Sequence, residues 1–317
     1  MTVRELHRAL VEAGIDVDPR ARAGVEASLA GQRKRWDKMS DEDKAFFDEE
    51  SLWNPFADTR ILAGDPEKQV RRVIVGIDID TSELLLVDRL NERGAGIDLV
   101  IAHHPSAHAL ATLDKVMGMQ SDIFYGQGVS MSVSEQLMGP RVKQVERSVV
   151  SGNFLKTAMA AEALGLTLMS VHTPADSTGM RYLEQRIAEE KPETLGALVA
   201  MLKKIPEYAA YAKKLCAPRI LSGSPENRVR KVHFEFTGGT EGPSEIYDQL
   251  AAAGVDTIVC MHQSDKHFEA AGKAKLNVVL AGHMASDNLG LNLLFDTVTK
   301  KSPLDIRQCS GFIRTVR

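Results

Sequence analysis

The sequence has few cysteines and no long apolar run. Its 317 residues include only three cysteines, Cys216, Cys260 and Cys309, and none belongs to a CxxC pair. A disulfide framework and a thiolate zinc site are therefore not expected, and a reducing compartment fits best. No stretch approaches the roughly 18 apolar residues of a membrane span, and the start of the chain is charged where a signal peptide is apolar. We predict a cytoplasmic globular protein without a membrane segment.

An excess of basic charge is also absent. Lys and Arg total 39 against 43 Asp and Glu, which gives a net charge of -4 and a pI near 6.2. This balance argues against a surface that coats nucleic acid, so nucleic acid is not an expected partner. The apolar fraction of 44%, with 24 Gly and 12 Pro, excludes disordered and collagen-like chains. The length predicts about two domains, each with its own core.

The beginning of the chain has a helical composition. Val3, Leu6 and Leu10 recur at helical spacing, and Ser40 precedes a run of acids as an N-cap does. We expect two or three helices before residue 51, and we interpret the basic run 33–35 as a solvated helix face. The next stretch, 51–68, combines Pro, Gly and aromatic residues, which predicts a packed connecting segment rather than a mobile linker.

From Val70 onward, short β-branched runs alternate with helical stretches, which is typical of a layered α/β fold. The runs are almost entirely apolar, as expected for strands covered on both faces. The predicted strands are 72–79, 98–102, 166–171, 231–236, 256–261 and 276–281.

An internal repeat divides this α/β region. Val-Arg-Arg-Val at 70–73 opens a strand, a helix and a second strand, and Val-Arg-Lys-Val at 229–232 opens the same succession. Two similar halves are the natural inference. The predicted fold class is therefore α/β, with two structurally related halves whose sheets are flanked by helices, plus an N-terminal helical extension. The predicted boundaries are 1–51 for the extension, 52–178 for the first half, 179–228 for a helical connector and 229–317 for the second half.

Histidines follow several of the predicted strands. His103 and His104 follow one strand, and His172, His262 and His283 each follow another. In open α/β sheets, residues beyond the carboxyl ends of the strands share one crevice, so these imidazoles are expected to lie close together. Under the repeat, His104 aligns with His262. A lone histidine at a strand end is more often a hydrogen-bonded loop residue, and this interpretation is kept for His7, His108, His233 and His267.

Carboxylates accompany these histidines at ligand-like spacing. The pattern His-x3-Asp occurs at 172–176, where a proline forces a turn, and at 283–287, where a helix would place both side chains on one face. The neighbouring side chains of His103 and His104 point apart and can serve two separate ions. Three imidazoles and two carboxylates at strand ends suit a two-metal site.

Other motifs have a local explanation beside a functional one. The loop 237–242 could hold an anion on its backbone N–H groups, although a tight turn that needs glycine is the commoner reason. Asp78 and Asp80 could present acids to the crevice, yet Asp80 as an N-cap with Glu83 explains the second acid locally. Cys260 is expected to be buried as a small hydrophobe.

Taken together, the strand-end motifs resemble the NGG-interacting factor 3 family. These proteins are described as dinuclear-metal-centre hexameric proteins, and genomes often label them type 2 GTP cyclohydrolase I. The resemblance covers roughly residues 52–298. It is carried, in order, by Asn-Pro-Phe-Ala-Asp at 54–58, Val-Ile-Val-Gly-Ile-Asp at 73–78, Asp-Leu-Val-Ile-Ala-His-His-Pro at 98–105, His-Thr-Pro-Ala-Asp at 172–176 and Gly-His-x3-Asp-Asn-Leu-Gly at 282–290.

The resemblance implies related halves that face each other across a crevice with two divalent ions per chain, commonly in a toroidal homohexamer. The implied bridging carboxylates are Asp176 and Asp287, and His172 is implied as an outer or substrate-facing residue. Imidazole with carboxylate suits Zn, Mn, Fe, Co or Ni. The implied metal ligands are His103, His104, Asp176, His283 and Asp287.

Three features depart from the family pattern. The last ligand is usually Glu, and Asp287 is one methylene shorter. Residues 106–150 form a longer insertion, which is expected to cover or reshape the pocket. The end of the equivalent strand in the second half reads Met261-His262-Gln263, where other members have Thr-Gly-acid.

The leading functional hypothesis is a dinuclear divalent-metal-binding protein that acts as a metal-dependent hydrolase, with a substrate that the sequence does not identify. Two metal ions activate water near neutral pH and stabilise negative charge. His172 and His262 are the catalytic candidates, as general acid or base. One alternative is type 2 GTP cyclohydrolase I activity, for which no guanine-reading motif is visible. Another is a metal-trafficking or scaffold protein without turnover, with the N-terminal helices as the arm that contacts a partner.

Overall fold

The structure, a computed structural model, describes residues 1–300 and 302–317. Within these ranges nine strands form two sheets, and fourteen α-helices pack around them. None of these helices is both long enough and apolar enough to span a bilayer. The strands are β1 (Arg60–Ala63), β2 (Arg72–Gly76), β3 (Leu99–Ala102), β4 (Leu168–Ser170), β5 (Arg219–Ser222), β6 (Val232–Glu235), β7 (Thr257–Cys260), β8 (Asn277–Leu280) and β9 (Asp305–Gln308).

The helices precede and separate these strands, in places several in succession. They are α1 (Val3–Val17), α2 (Ala21–Asp37), α3 (Asp41–Lys44), α4 (Thr81–Glu92), α5 (Ala107–Ala111), α6 (Met119–Gly126), α7 (Met131–Val149), α8 (Lys156–Ala163), α9 (Thr173–Glu190), α10 (Leu195–Lys204), α11 (Pro206–Ala212), α12 (Ile246–Ala252), α13 (Asp265–Lys273) and α14 (His283–Thr299).

The two sheets share one strand order, except that the first has a fifth strand, β9. The first sheet is ordered β1-β4-β3-β2-β9 and the second β5-β8-β7-β6. β1 and β5 run antiparallel to their neighbours, and the other pairs are parallel. The register repeats as well, because Val73 lies opposite Leu99 in the first sheet and Val232 lies opposite Thr257 in the second. The predicted α/β fold with two related halves is confirmed.

All six predicted strands are present, and β1, β5 and β9 are additional. Each of these three lies at an edge of its sheet. β5 and β9 are partly or fully exposed, so they lack the apolar run that marks a strand covered on both faces. The segment 51–68, predicted as a connection, contains β1 of the first sheet. The segment 229–317 contributes to both sheets, because β9 pairs with β2; the proposed segment boundaries stay a prediction.

The predicted N-terminal helices are present, and α1 belongs to the core of the first half. Val3, Leu6 and Leu10 are fully buried and pack with the first sheet and α14. Replacing Leu6 or Leu10 by Ala would cost about 2–5 kcal/mol. Ser40 caps α3 as predicted, by accepting from the Asp43 backbone N–H. α2 is different, because it buries only Val25 and otherwise faces solvent.

The insertion at 106–150 links the two halves. It folds mainly as α5, α6 and α7, and the last two helices pack against the second half. Met117 and Phe124 share a hydrophobic core with Tyr247 of α12 and Ile258 of β7. Chain that belongs to the first half in sequence therefore covers the sheet of the second half.

Helices α9 and α14 approach each other through glycine. A Cβ atom at Gly290 would overlap the carbonyl group of Ala175, and a Cβ atom at Gly179 would lie 3.4 Å from the Gly290 backbone. The absence of side chains lets the two backbones come close. α9 follows β4 and α14 follows the equivalent strand β8, so this contact brings together the N-terminal turns that carry both His-x3-Asp motifs.

Candidate metal centre

Four imidazoles converge at the ends of β3, β4 and β8. His103 and His104 directly follow β3, His172 precedes α9, and His283 is the first residue of α14. The ring centroid of His103 lies 5.1 Å from that of His104 and 4.9 Å from that of His172. The rings of His104 and His283 are 5.0 Å apart. The cluster thus forms at the junction of the two halves, as expected for the carboxyl ends of parallel strands.

The two carboxylates stand one helical turn after their histidines. The predicted helix from His283 is confirmed as α14, so His283 and Asp287 share a helix face. The prediction for 172–176 needs a correction, because Pro174 lies in the first turn of α9 and not in a separate turn. A helix tolerates proline in its first turn, where no intrahelical N–H bond is lost. His172 is the N-cap residue of α9 and Asp176 lies in its first turn, so the two side chains converge, with Nε2 3.6 Å from Oδ2.

Asp287 lies between three imidazoles. Its Oδ1 is 3.6 Å from Nε2 of His103, and its Oδ2 is 3.6 Å from Nε2 of both His104 and His283. Asp176 Oδ1 lies 3.3 Å from His103 Nε2. Asp287 is 1% exposed, so the carboxylate meets these imidazoles and almost no solvent.

These separations fit ligands that share a cation better than they fit hydrogen bonds. A hydrogen bond between N and O spans about 2.7–3.2 Å. Two ligand atoms that each lie about 2.0–2.1 Å from one tetrahedral ion are about 3.3 Å apart. Within residues 1–300 and 302–317, His103 Nε2, Asp176 Oδ1 and both carboxylate oxygens of Asp287 are buried without a hydrogen-bond partner. Buried polar atoms are rarely left unpaired, so the cluster fits a cationic occupant.

The potential ligand atoms form three overlapping groups, and within each group they lie within 4.8 Å of one another. The groups are His103 with Asp176 and Asp287, His104 with His283 and Asp287, and His103 with His104 and His172. The first two groups share Asp287. His103 belongs to one of them and His104 to the other, which agrees with the expectation that these neighbours serve different ions. The structure brings all five implied ligands together. His172, implied as an outer residue, also lies within reach of the same centre.

Hydrogen bonds fix three of these imidazole rings from behind. In each ring Nδ1 is bonded to an oxygen acceptor, so Nδ1–H donates and Nε2 is the atom that faces the cluster. The bonds run from His103 to the Val171 carbonyl (3.0 Å), from His104 to Asp78 Oδ1 (2.7 Å) and from His172 to Asp58 Oδ2 (2.9 Å).

Sequence reasoning did not give Asp58 a role at the site. The antiparallel register of β1 pairs Arg60 with Ser170, which places Asp58 beside His172. Asp58 is fully buried and also accepts from the Thr173 hydroxyl at 2.6 Å. Without β1 the sequence offers no partner for Asp58. Asp78 did carry a signal, because it is an acid just beyond β2.

Burial and charge act in opposite directions on the cluster. Burial opposes a charged His103, but the carboxylates of Asp287 and Asp176 raise the pKa of His103 well above its usual value. Burial, with the imidazoles of His103 and His172, lowers the pKa of His104 to about 4. Burial opposes a charged Asp287, yet the surrounding imidazoles hold the pKa of Asp287 below its usual value. Asp287 is therefore an anion surrounded by imidazoles, which suits a divalent cation.

A cavity of about 80 Å³ adjoins the cluster on the side of the second half. It continues past the end of β6 and along the loop 237–242. Gln120 of α6 holds this loop, because its Nε2 donates to the carbonyls of Gly238 (2.8 Å) and Thr240 (2.7 Å). The insertion therefore forms one wall of the pocket, as expected. The cluster contributes His172, Asp176, His283 and Asp287 to the lining.

The motifs with two explanations adopt the local one. Gly238 and Gly239 have φ values of +96° and +87°, so the loop is a turn that needs glycine. Asp80 caps α4 in a capping box with Glu83. Cys260 is fully buried, as predicted.

His262 lies at the edge of the cluster. Its ring centroid is 4.8 Å from that of His283, and its Nδ1 is 3.5 Å from Glu241 Oε1. It lines the pocket but belongs to none of the three ligand groups found in the described ranges.

The remaining histidines lie outside the cluster. His7 bonds to the Thr59 carbonyl at 3.1 Å, and His267 bonds to the Ser264 hydroxyl and the Gly242 carbonyl. His108 is exposed.

Comparison with solved structures finds several similar proteins. A NIF3 superfamily protein from Sphaerobacter thermophilus is 23% identical, with a TM-score of 0.70, and the match covers 80% of this chain and 91% of that chain. The protein ybgI, described as of unknown function, is 17% identical (TM-score 0.48, 90% and 96% covered). Reduced HcgD from Methanocaldococcus jannaschii is 14% identical (TM-score 0.48, 84% and 94% covered). No protein-family model and no curated protein matches the sequence.

Proposed function

We propose that this chain, whose fold is that of the NIF3 superfamily, binds two divalent metal ions and hydrolyses a small molecule. The observation that carries the proposal is the set of unpartnered buried atoms on His103, Asp176 and Asp287. An isolated buried carboxylate costs several kcal/mol, so these atoms need a compensating charge. A divalent cation compensates all of them at once.

The five implied ligands divide into two sets. One ion would be held by His103, Asp176 and Asp287, and the other by His104, His283 and Asp287. Asp287 is the bridging carboxylate in this assignment, and Asp176 is the second candidate for that role. The shorter side chain of Asp287 is sufficient, because its two oxygens already lie 3.6 Å from three imidazole nitrogens. The donor set suits Zn, Mn, Fe, Co or Ni.

The residues around the cluster support hydrolysis. Two adjacent divalent ions would stabilise negative charge on oxygen and would lower the pKa of water to near neutrality. We assign His172 and His262 to hold or move a proton, because both imidazoles line the pocket. Asp58 orients the ring of His172, and Glu241 lies beside His262. The reacting group of the substrate would lie between these two imidazoles and the metal ligands.

The two alternatives have less support. Type 2 GTP cyclohydrolase I activity would bring a triphosphate to the site, and no Lys or Arg of the described chain lines the pocket. A trafficking or scaffold protein without turnover would need the metal ligands but no space for a substrate, whereas a cavity adjoins the cluster.

The proposal includes a homo-oligomer in the cytoplasm, taken as the toroidal hexamer that the resemblance implies. Sedimentation velocity of the purified protein tests the assembly. A species of six times the chain mass of 34.7 kDa is expected. A monomer at micromolar concentration would contradict the hexamer without bearing on the metal site.

Elemental analysis of the purified protein tests the metal site. About two metal equivalents per chain are expected in the wild type, with a clear loss in His103→Ala and His283→Ala. His108→Ala is the matched control, because His108 is an exposed histidine outside the cluster. Wild-type protein that holds no metal and cannot be reconstituted with Zn²⁺ or Mn²⁺ would refute the proposal.

A hydrolysis screen then separates the enzyme from its alternatives. The metal-loaded protein is incubated with phosphoesters, nucleotides and cyclic amides, and product is followed with and without a chelator. Metal-dependent turnover that His103→Ala lacks is the expected result. Formation of formate from GTP would favour the cyclohydrolase, and full metal loading without any turnover would favour the non-catalytic alternative.

A further inference from the structure

We propose that the pocket beside the metal cluster binds a small aromatic or heteroaromatic molecule through its N–H groups, with Glu235 as the acceptor. The inference rests on the proposed function for the reacting end of the ligand, which would face the cluster. The inference about the other end of the ligand, which would contact Glu235, depends only on the residues of the pocket. Four observations carry it: two ionisable residues where the equivalent strand has none, an unpartnered imidazole, an aromatic wall and a lining without cations.

The internal repeat sets His233 and Glu235 apart. They occupy alternate positions of β6 and therefore point to the same side of the sheet. In the equivalent strand β2 the matching residues are Ile74 and Gly76, because Val232 corresponds to Val73 in the register. The first half builds the same strand with non-ionisable residues at these two positions. The second half has both on one face, directly at the pocket.

Both side chains retain hydrogen-bonding capacity. His233 is 2% exposed, and within the described ranges its Nδ1 has no hydrogen-bond partner. Glu235 Oε2 accepts from the Tyr247 hydroxyl at 2.8 Å, and no described group donates to Oε1. Burial raises the pKa of Glu235 to about 7. An N–H group of a ligand would satisfy the free carboxylate oxygen and favour its ionised form.

The walls of the pocket suit a flat apolar ligand. Phe124 of α6 lies on one side, with its ring centroid 5.6 Å from that of His233. Phe234 and Phe236 border the pocket from the alternate positions of the chain, and their rings pack in the hydrophobic core on the opposite face of β6. Aromatic side chains pack favourably against the faces and edges of planar rings. A ligand with a planar ring is therefore favoured over a flexible aliphatic chain.

The charges of the lining select against anions at this end. Glu235 and Glu241 both line the pocket, and Glu241 accepts from the Ser264 N–H and pairs with His262. Among the described residues no Lys or Arg joins them. Phosphate and carboxylate groups are usually bound by Arg or Lys, so this end fits a neutral or cationic N–H donor.

Calorimetric or NMR titration of the metal-loaded full-length protein tests the proposal with two probes of similar size. Benzamidine presents N–H groups on an aromatic ring, and benzenesulfonate presents an anion. Benzamidine is expected to bind at least about tenfold more tightly, since a hydrogen bond to a charged acceptor is involved. In Glu235→Gln this preference should fall to about threefold or less. Glu184→Gln is the matched control, since Glu184 lies on α9 and does not line the pocket.

A second variant keeps the test decisive if Glu235→Gln fails to fold. Thr240→Lys adds a cation at a half-buried position of the lining, and the preference should then turn toward benzenesulfonate. Equal binding of both probes by the wild type, or an unchanged preference in both variants, would overturn the proposal. Titration after chelation separates the two proposals. Purified protein that holds no metal would contradict the proposed metal centre. A preference for benzamidine that persists in the metal-free protein would still support the N–H-binding pocket.

Discussion

Replacing Asp287 by Asn should remove both metal ions with one nearly isosteric change. Asp287 is the residue that the two mixed His/Asp groups share, and its oxygens lie 3.6 Å from three imidazole nitrogens. Asn keeps the volume of the side chain but removes its charge and one acceptor oxygen. The helix and its packing should therefore persist while the bridging carboxylate is lost.

The size of the effect follows from binding linkage. A metal ion at one hundred times its dissociation constant stabilises the folded state by about 2.7 kcal/mol, so two ions contribute about 5 kcal/mol. For a chain of 317 residues the entropy of unfolding makes this about 8 °C in Tm. The wild type should gain this shift when Zn²⁺ or Mn²⁺ is added after chelation. The variant should gain less than about 2 °C.

Differential scanning calorimetry with and without metal measures the shift, and elemental analysis counts the ions. Comparing the two states within each protein removes any effect of the substitution on the metal-free fold. Asp296→Asn is the matched control, because Asp296 lies on the same helix and pairs with Arg314 outside the cluster. The reasoning is refuted if Asp287→Asn keeps both ions and the full shift in Tm.

Three further predictions concern packing, pH and the orientation of His172. Gly290→Ala should destabilise the protein by about 3 kcal/mol or more, because the new methyl group overlaps a carbonyl of α9. Gly272→Ala places its methyl group in open space and should stabilise the protein by about 0.5–1 kcal/mol. Equal effects of the two variants in urea unfolding would contradict this prediction. The pKa of Glu235 is raised from 4.5 to about 7, so the folded state holds a proton that the unfolded state releases, and stability falls as pH rises through this window. The wild type should lose about 3 kcal/mol of unfolding free energy through this group by pH 8, and Glu235→Gln should lack this loss. A pH-independent difference in unfolding free energy between the two proteins would argue against it. Asp58→Asn should weaken the hydrogen bond that holds His172 in its Nδ1-protonated tautomer, and ring ¹⁵N chemical shifts measure this change. Shifts identical to those of the wild type would show that Asp58 does not fix the ring.

The sequence alone determined the features that depend on local pattern. Apolar β-branched runs predicted β2, β3, β4, β6, β7 and β8, because strands buried on both faces need continuous apolar residues. The repeated Val-Arg-[Arg/Lys]-Val motif predicted two related halves. Histidines placed after those strands predicted a shared crevice, because the carboxyl ends of parallel strands meet at one edge of a sheet. The confirmed fold, and the convergence of His103, His104 and His283 with both aspartates, follow from these short-range signals.

Tertiary structure alone decided the contacts between distant segments. β1, β5 and β9 are short edge strands whose sequences carry little pattern, so pairing with a neighbour defines them. Without β1, nothing in the sequence places Asp58 beside His172, which lies 114 residues further along the chain. The crossing of α6 and α7 onto the second half creates the wall that holds Gln120 against the loop of Gly238. Such contacts join surfaces whose complementarity exists only after the chain has folded, and no local periodicity records them.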